Sequence, residues 1–110
     1  MIDWARVTEL RDEIGPNDFD EVAELFLLEV EDTLSRLEGA MNDPPQMQEL
    51  LHFLKGSAVN LGFREMSAMC SAGEADAAQG RVTVDPMELK AVYRSSRTVF
   101  ETEYAQRFAA

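Results

Sequence analysis

A chain of 110 residues has the size of one domain, here expected to span residues 1–110, and buries roughly two thirds of the surface its unfolded form exposes. Ten basic against twenty-one acidic residues leave a net charge of −11, which repels phosphate backbones and anionic lipid and excludes nucleic acid and membrane surfaces as partners. Six glycines and four prolines exclude collagen-like and low-complexity chains.

The first stretch, "MIDWARVTEL", carries an acid and an arginine and has no apolar core segment, so it does not read as a secretory signal. Its initial methionine and the absence of tags point to a complete, free-standing protein. Trp4, Val7, Leu10 and Ile14 fall at helical spacing and predict a short helix that ends at Gly15-Pro16. From Val22 the apolar residues recur at Leu25, Phe26, Val30, Leu34 and Leu37. Asp18, with Glu21 three positions on, predicts a capping box at the start of that helix. Within it "LFLL" is the longest aliphatic-aromatic run, far short of a membrane span.

Asp43-Pro44 with Gln46 repeats the start signal, and Gly62 suits a left-handed stop after Leu61. The next helix runs from about Arg64 to a stop at Gly80. It holds the single cysteine, Cys70, on an apolar stripe with Met66 and Met69. One cysteine forms no internal disulfide, which fits a reducing, cytoplasmic setting. "RVTV", Arg81 to Val84, is strand-like but too short to make a sheet. Asp85-Pro86 with Glu88 opens the last helix, with Leu89, Val92, Tyr93, Ser96, Val99 and Phe100 on one face. The expected fold is all-α, an antiparallel four-helix bundle with a short additional N-terminal helix.

The only histidine, His52, lies in the third of these helices. On a wheel of roughly 100° per residue, Met47, Leu50, Leu51, Leu54, Ala58 and Leu61 form the apolar stripe. His52 falls about 160° from its centre, in the company of Gln48, Lys55, Gly56 and Val59. The histidine therefore points out of the bundle. Gly56, one turn on, costs on the order of 1 kcal/mol against alanine inside a helix, and its missing side chain clears room for another molecule's backbone. Lys55 is one turn from His52 on the same side, and no acid occurs from Leu50 through Arg64. A nucleophile inside a small positive island suits a phosphoryl group.

At these residues, "HFLKGSAVNLGF" from His52 to Phe63, the chain resembles the histidine-containing phosphotransfer (HPt) domain of bacterial two-component phosphorelays. The family pattern is H-x-x-K-G-S/A with a Leu-Gly closing the helix. The match is tight over His52–Phe63 and loose over the helix layout from Phe19 to Phe100. The resemblance implies a helical bundle whose exposed histidine accepts phosphate from one receiver-domain aspartate and passes it to another. By position His52 would be phosphorylated, Lys55 would neutralise phosphate, and Gly56 would give clearance. Glu74, on the next helix, would orient the imidazole. Partners would be receiver domains of response regulators or a hybrid histidine kinase, met by a monomer. This chain would need no cofactor, the Mg²⁺ belonging to the partner receiver. Two departures from the family stand out: Gly73 replaces a usual leucine, and Glu49 precedes the histidine by one turn.

Neutral imidazole attacks through its free nitrogen pair without a general base, and phosphoryl transfer asks mainly for in-line positioning and charge neutralisation. The chain shows no Gly-rich nucleotide loop and no metal-ligand cluster, so a carrier is expected and not an enzyme. Docking is expected to be apolar at its centre, with Val59 on the histidine's face, Phe53 on its flank and Gln48 beside it. Glu49-x-x-His52 also matches a di-iron half-motif, but that fold needs two such motifs facing inward. The alternative from another class is a docking bundle that binds a receiver or kinase without carrying phosphate, whose mark would be loss of His52 or Lys55.

Overall fold

The computed structural model describes residues 2–108 and resolves the helical periodicity into five α-helices. These are α1 Trp4–Ile14, α2 Pro16–Leu34, α3 Pro44–Leu61, α4 Arg64–Ala78 and α5 Pro86–Arg107, with a 3-10 turn at Glu38–Ala40 between α2 and α3. The described residues contain no strand, and Arg81–Val84 is an irregular connection. The fold is an all-α bundle with an additional N-terminal helix.

Side-chain caps fix most of the helix starts. Asp43 accepts the Gln46 backbone N–H at 3.2 Å, and Asp85 accepts those of Met87 and Glu88 at 3.0 and 3.5 Å. Each is followed by a proline whose missing N–H has no helical partner to lose. Asp3 does the same for α1, accepting from the Arg6 N–H at 3.2 Å. The expected cap at Asp18 does not form. Pro16 already sets a helical φ at the first position, and the Gly15 carbonyl accepts the Phe19 N–H at 3.0 Å. Helix α2 therefore starts two residues before Asp18, which sits in its first turn and places a negative charge near the positive helix end. Gly15, at φ 104°, ends α1 and begins α2 in one residue.

Gly62 ends α3 at φ 74°, where its missing side chain matters twice. The left-handed conformation is costly for other residues, and a Cβ would lie 2.7 Å from the Asp3 carbonyl oxygen. That close approach lets Asp3 N–H donate to Gly62 O at 2.8 Å and ties α1 to the α3–α4 turn.

Helix α3 lies in the middle and buries Met47, Leu50, Leu51, Leu54, Ser57, Ala58 and Leu61. Truncating a fully buried residue such as Leu51 to alanine costs about 2–5 kcal/mol. Helix α2 contributes Phe19, Ala23, Leu27, Val30 and Leu34. Leu25, expected on that ridge, is 55% exposed, because Phe19 and Ala23 set the buried face and Leu25 falls opposite it. Helices α2 and α5 run antiparallel: Tyr104 donates to Asp20 and Tyr93 to Glu31, both at 2.6 Å. At one end of the bundle Trp4 stacks on Phe100 with ring centroids 5.6 Å apart and donates to Glu103 at 2.9 Å.

Candidate functional site

The expected stripe on α3 is buried throughout, and its turn geometry carries His52 to the outer face with its side chain 70% exposed. Phe53 and Val59 are also exposed, at 40% and 47%, and Gln48 is half-buried one turn earlier. A Cβ on Gly56 would meet nothing within 4 Å. That glycine serves no internal packing, and the surface one turn from the imidazole is left open.

Glu74 reaches the site because α4 comes close to α3 at the preceding residue. Gly73 is buried, and a Cβ there would stand 2.8 Å from Leu51 Cδ1 and 3.5 Å from Val84 Cβ. A leucine at this position would force the helices apart. The departure from the expected leucine is thus a packing device that brings the next side chain to the histidine. Glu74 Oε2 lies 2.8 Å from His52 Nδ1, and Glu74 Oε1 lies 2.7 Å from Lys55 Nζ. One carboxylate joins the two residues that the sequence placed a turn apart on α3.

The Lys55 ammonium, and after it the His52 ring, hold the Glu74 carboxyl below its ordinary range, against the opposing effect of partial burial. An ionised carboxylate only accepts hydrogen bonds. Its contact with Nδ1 therefore selects the imidazole tautomer with the proton on that nitrogen. Nε2 is left with its lone pair toward solvent. Lys55, read in the sequence as a phosphate neutraliser, rests on Glu74.

Cys70 is buried, and burial, followed by the nearby Glu74 charge, pushes its thiol up to about 12. It is a core residue and a poor nucleophile at neutral pH. Glu49 is exposed and borders a groove between α2 and α3 that Leu28, Asp32 and Phe53 also line. Among these, Leu28 and Asp32 escaped the sequence reading: a leucine on a helix gives no local sign of which neighbouring helix it will face. Among the described residues no three His, Cys, Asp or Glu side chains gather as a metal would require. No helix among them is long and apolar enough to cross a membrane.

A protein-family model described as Hpt domain matches residues 21–106. No curated protein and no solved structure matches the chain.

Proposed function

This chain belongs to the Hpt domain family, and from that premise we propose that it relays a phosphoryl group between receiver-domain aspartates through phosphohistidine at His52. The observation that carries the reading is the exposed imidazole held at Nδ1 by Glu74, in a chain of a phosphotransfer family. In the forward step the Nε2 lone pair attacks the phosphorus of a receiver aspartyl phosphate in line. The bond from phosphorus to the aspartate oxygen breaks, and the carboxylate leaves with the electron pair. The Nδ1 proton stays between the ring and Glu74 throughout, so no general base is needed. Delivery to a second receiver reverses the same path.

The loose transition state asks for position and for neutralised charge. Glu74 fixes the ring, and the open surface at Gly56 admits the partner's backbone. The receiver's own aspartate site and Mg²⁺ supply most of the neutralisation. Lys55 adds to it by turning from Glu74 to the phosphoryl oxygens, which carry close to two negative charges. On this reading the protein is a carrier that acts on receivers of response regulators or a hybrid histidine kinase in the cytoplasm.

The test is incubation with a phosphorylated receiver domain. Label on the wild-type chain should be acid-labile and alkali-stable, and His52→Gln should abolish it with helical content unchanged by circular dichroism. Label that survives this substitution sinks the proposal. Lys55→Ala should slow transfer or shorten the lifetime of phosphohistidine, with the affinity for unphosphorylated receivers little changed.

A further inference from the structure

The hold on His52 comes from a charged group, although a neutral one would serve to orient the ring. An amide oxygen accepts an N–H in the same geometry as a carboxylate oxygen does, yet Glu74 brings a negative charge to 2.8 Å from Nδ1. The Glu74 side chain is only 17% exposed beside a ring that is 70% exposed, so water screens the carboxylate less than it screens the imidazole. Among the described residues no other carboxylate comes within ion-pair distance of the ring. Glu49 on α3 and Glu29 and Asp32 on α2 border the adjoining groove. Lys55 holds the other oxygen of Glu74 at 2.7 Å, and the nearby Cys70 thiol is uncharged at neutral pH.

We propose, on the reading of His52 as a phosphate carrier, that the charge of Glu74 keeps the Nδ1 proton on phosphohistidine at neutral pH, so that delivery releases a neutral imidazole. When Nε2 bonds phosphorus and the donor carboxylate departs with its electron pair, the ring retains its Nδ1 proton and becomes a cation bearing the phosphoryl group. Loss of that proton to water would give an uncharged phosphorylated ring. In delivery an acceptor aspartate oxygen attacks phosphorus, the bond to Nε2 breaks, and the electron pair returns to the ring. With Nδ1–H in place the leaving group is neutral imidazole. Without it the leaving group is imidazolate, a far stronger base that leaves slowly. A neighbouring opposite charge favours the charged form of a group, so Glu74 selects the cationic ring. The carboxylate is itself ionised at neutral pH, held below its ordinary 4.5 chiefly by Lys55. Lys55 then sharpens the selection by moving. Once its ammonium turns to the phosphoryl oxygens, Oε1 loses its cation and the charge of Glu74 bears on the ring alone.

The experiment uses the full chain loaded with phosphoramidate, a small phosphoryl donor, and the single histidine gives one phosphohistidine. Ring ¹⁵N shifts report the titration midpoint of that phosphohistidine in wild type, Glu74→Gln and Glu74→Ala, with circular dichroism checking the fold. An opposite charge at this range shifts a group by about 1–3 units, and the exposure of the ring favours the lower figure. Glu74→Gln, which can still accept from Nδ1–H, should therefore lower the midpoint by about one pH unit, and Glu74→Ala should lower it as far. Delivery to a receiver domain is then timed in a single turnover from pH 6 to 8. The receiver's own pH dependence cancels in the ratio of wild-type to Glu74→Gln rates, which should grow by up to about tenfold with rising pH. A midpoint that Glu74→Gln leaves unchanged, or a ratio that does not vary with pH, overturns the proposal and leaves Glu74 a positioning residue alone. Failure of the wild-type chain to deliver phosphate to receivers overturns the carrier reading instead, and the midpoint still decides whether Glu74 holds the proton.

Discussion

Alanine at Gly56 and alanine at Gly73 should move stability in opposite directions, although both glycines sit inside helices next to the same histidine. At Gly56 the added methyl meets open space, so only the backbone effect acts. Alanine should gain up to about 1 kcal/mol, which for a domain of this size raises Tm by about 4 °C. At Gly73 the same gain is set against contact. The methyl would lie 2.8 Å from Leu51 Cδ1, roughly 1 Å inside ordinary carbon–carbon separation. Leu51 is fully buried and recoils only by displacing its own neighbours. Overpacking of this kind costs about 1–3 kcal/mol, so the net change is a loss of up to ~2 kcal/mol and a Tm lower by as much as ~9 °C. Scanning calorimetry on the two variants settles it. If Gly73→Ala stabilises as much as Gly56→Ala, the close approach of α3 and α4 is not set by that glycine. If Gly56→Ala destabilises, the open space at the site has been misjudged. A functional arm separates fold from partner: Gly56→Gln should keep its stability yet transfer phosphate poorly, because the longer side chain stands in the approach to His52.

Glu74 has a depressed carboxyl pKa, so its contribution to stability is complete above its ordinary value of 4.5 and is lost as pH falls through the lower folded value. Glu74→Gln should flatten the acid limb of a stability–pH curve below that point, and an unchanged limb would refute the pairing with Lys55 and His52. Cys70, whose thiol is pushed from 9.0 to about 12, should react with a thiolate-specific reagent at pH 8 on the order of a thousandfold more slowly in the native chain than in urea; comparable rates would mean that the α3–α4 layer opens readily. Asp85→Ala should remove the α5 cap and cost roughly 1 kcal/mol by urea titration. Val59→Asp should weaken receiver affinity with the fold intact; unchanged affinity would show that the partner does not reach this far along α3.

Local chemistry makes much of this fold legible in the sequence. Asp43-Pro44 and Asp85-Pro86 announce helix starts because cap and proline act within a few residues of each other, and Gly62 and Gly80 announce stops for the same reason. The outward direction of His52 followed from helical periodicity alone. Reading failed where two local signals competed or where the answer lay on another helix. Asp18 looked like a cap, but Gly15-Pro16 started the helix first. Leu25 fitted an apolar series whose phase was instead set by Phe19 and Ala23. Gly73 looked like a departure from a family pattern, and its meaning depended on Leu51 and Val84 arriving opposite it. Glu74 was expected at the imidazole from the family resemblance alone; that the same carboxylate also holds Lys55, expected to face phosphate, is a property of two helices together. Leu28 belongs to the same class, since only the placement of α3 gives it Phe53 as a neighbour.

The seating of the first helix carries a practical consequence for watching this protein work. Trp4 is the chain's one tryptophan, and it lies in α1, ahead of the residues 21–106 that match the family. Its indole stacks on the Phe100 ring and has the Arg107 guanidinium 4.8 Å from its ring centroid, with its N–H spoken for by Glu103. Emission from that indole is therefore a built-in optical gauge of one event, the seating of α1 on the end of α5. Far-ultraviolet ellipticity, dominated by the four longer helices, gauges another. Recorded together on an unlabelled sample during heating, the two traces tell whether the leading helix lets go as a unit of its own or only when the whole bundle melts.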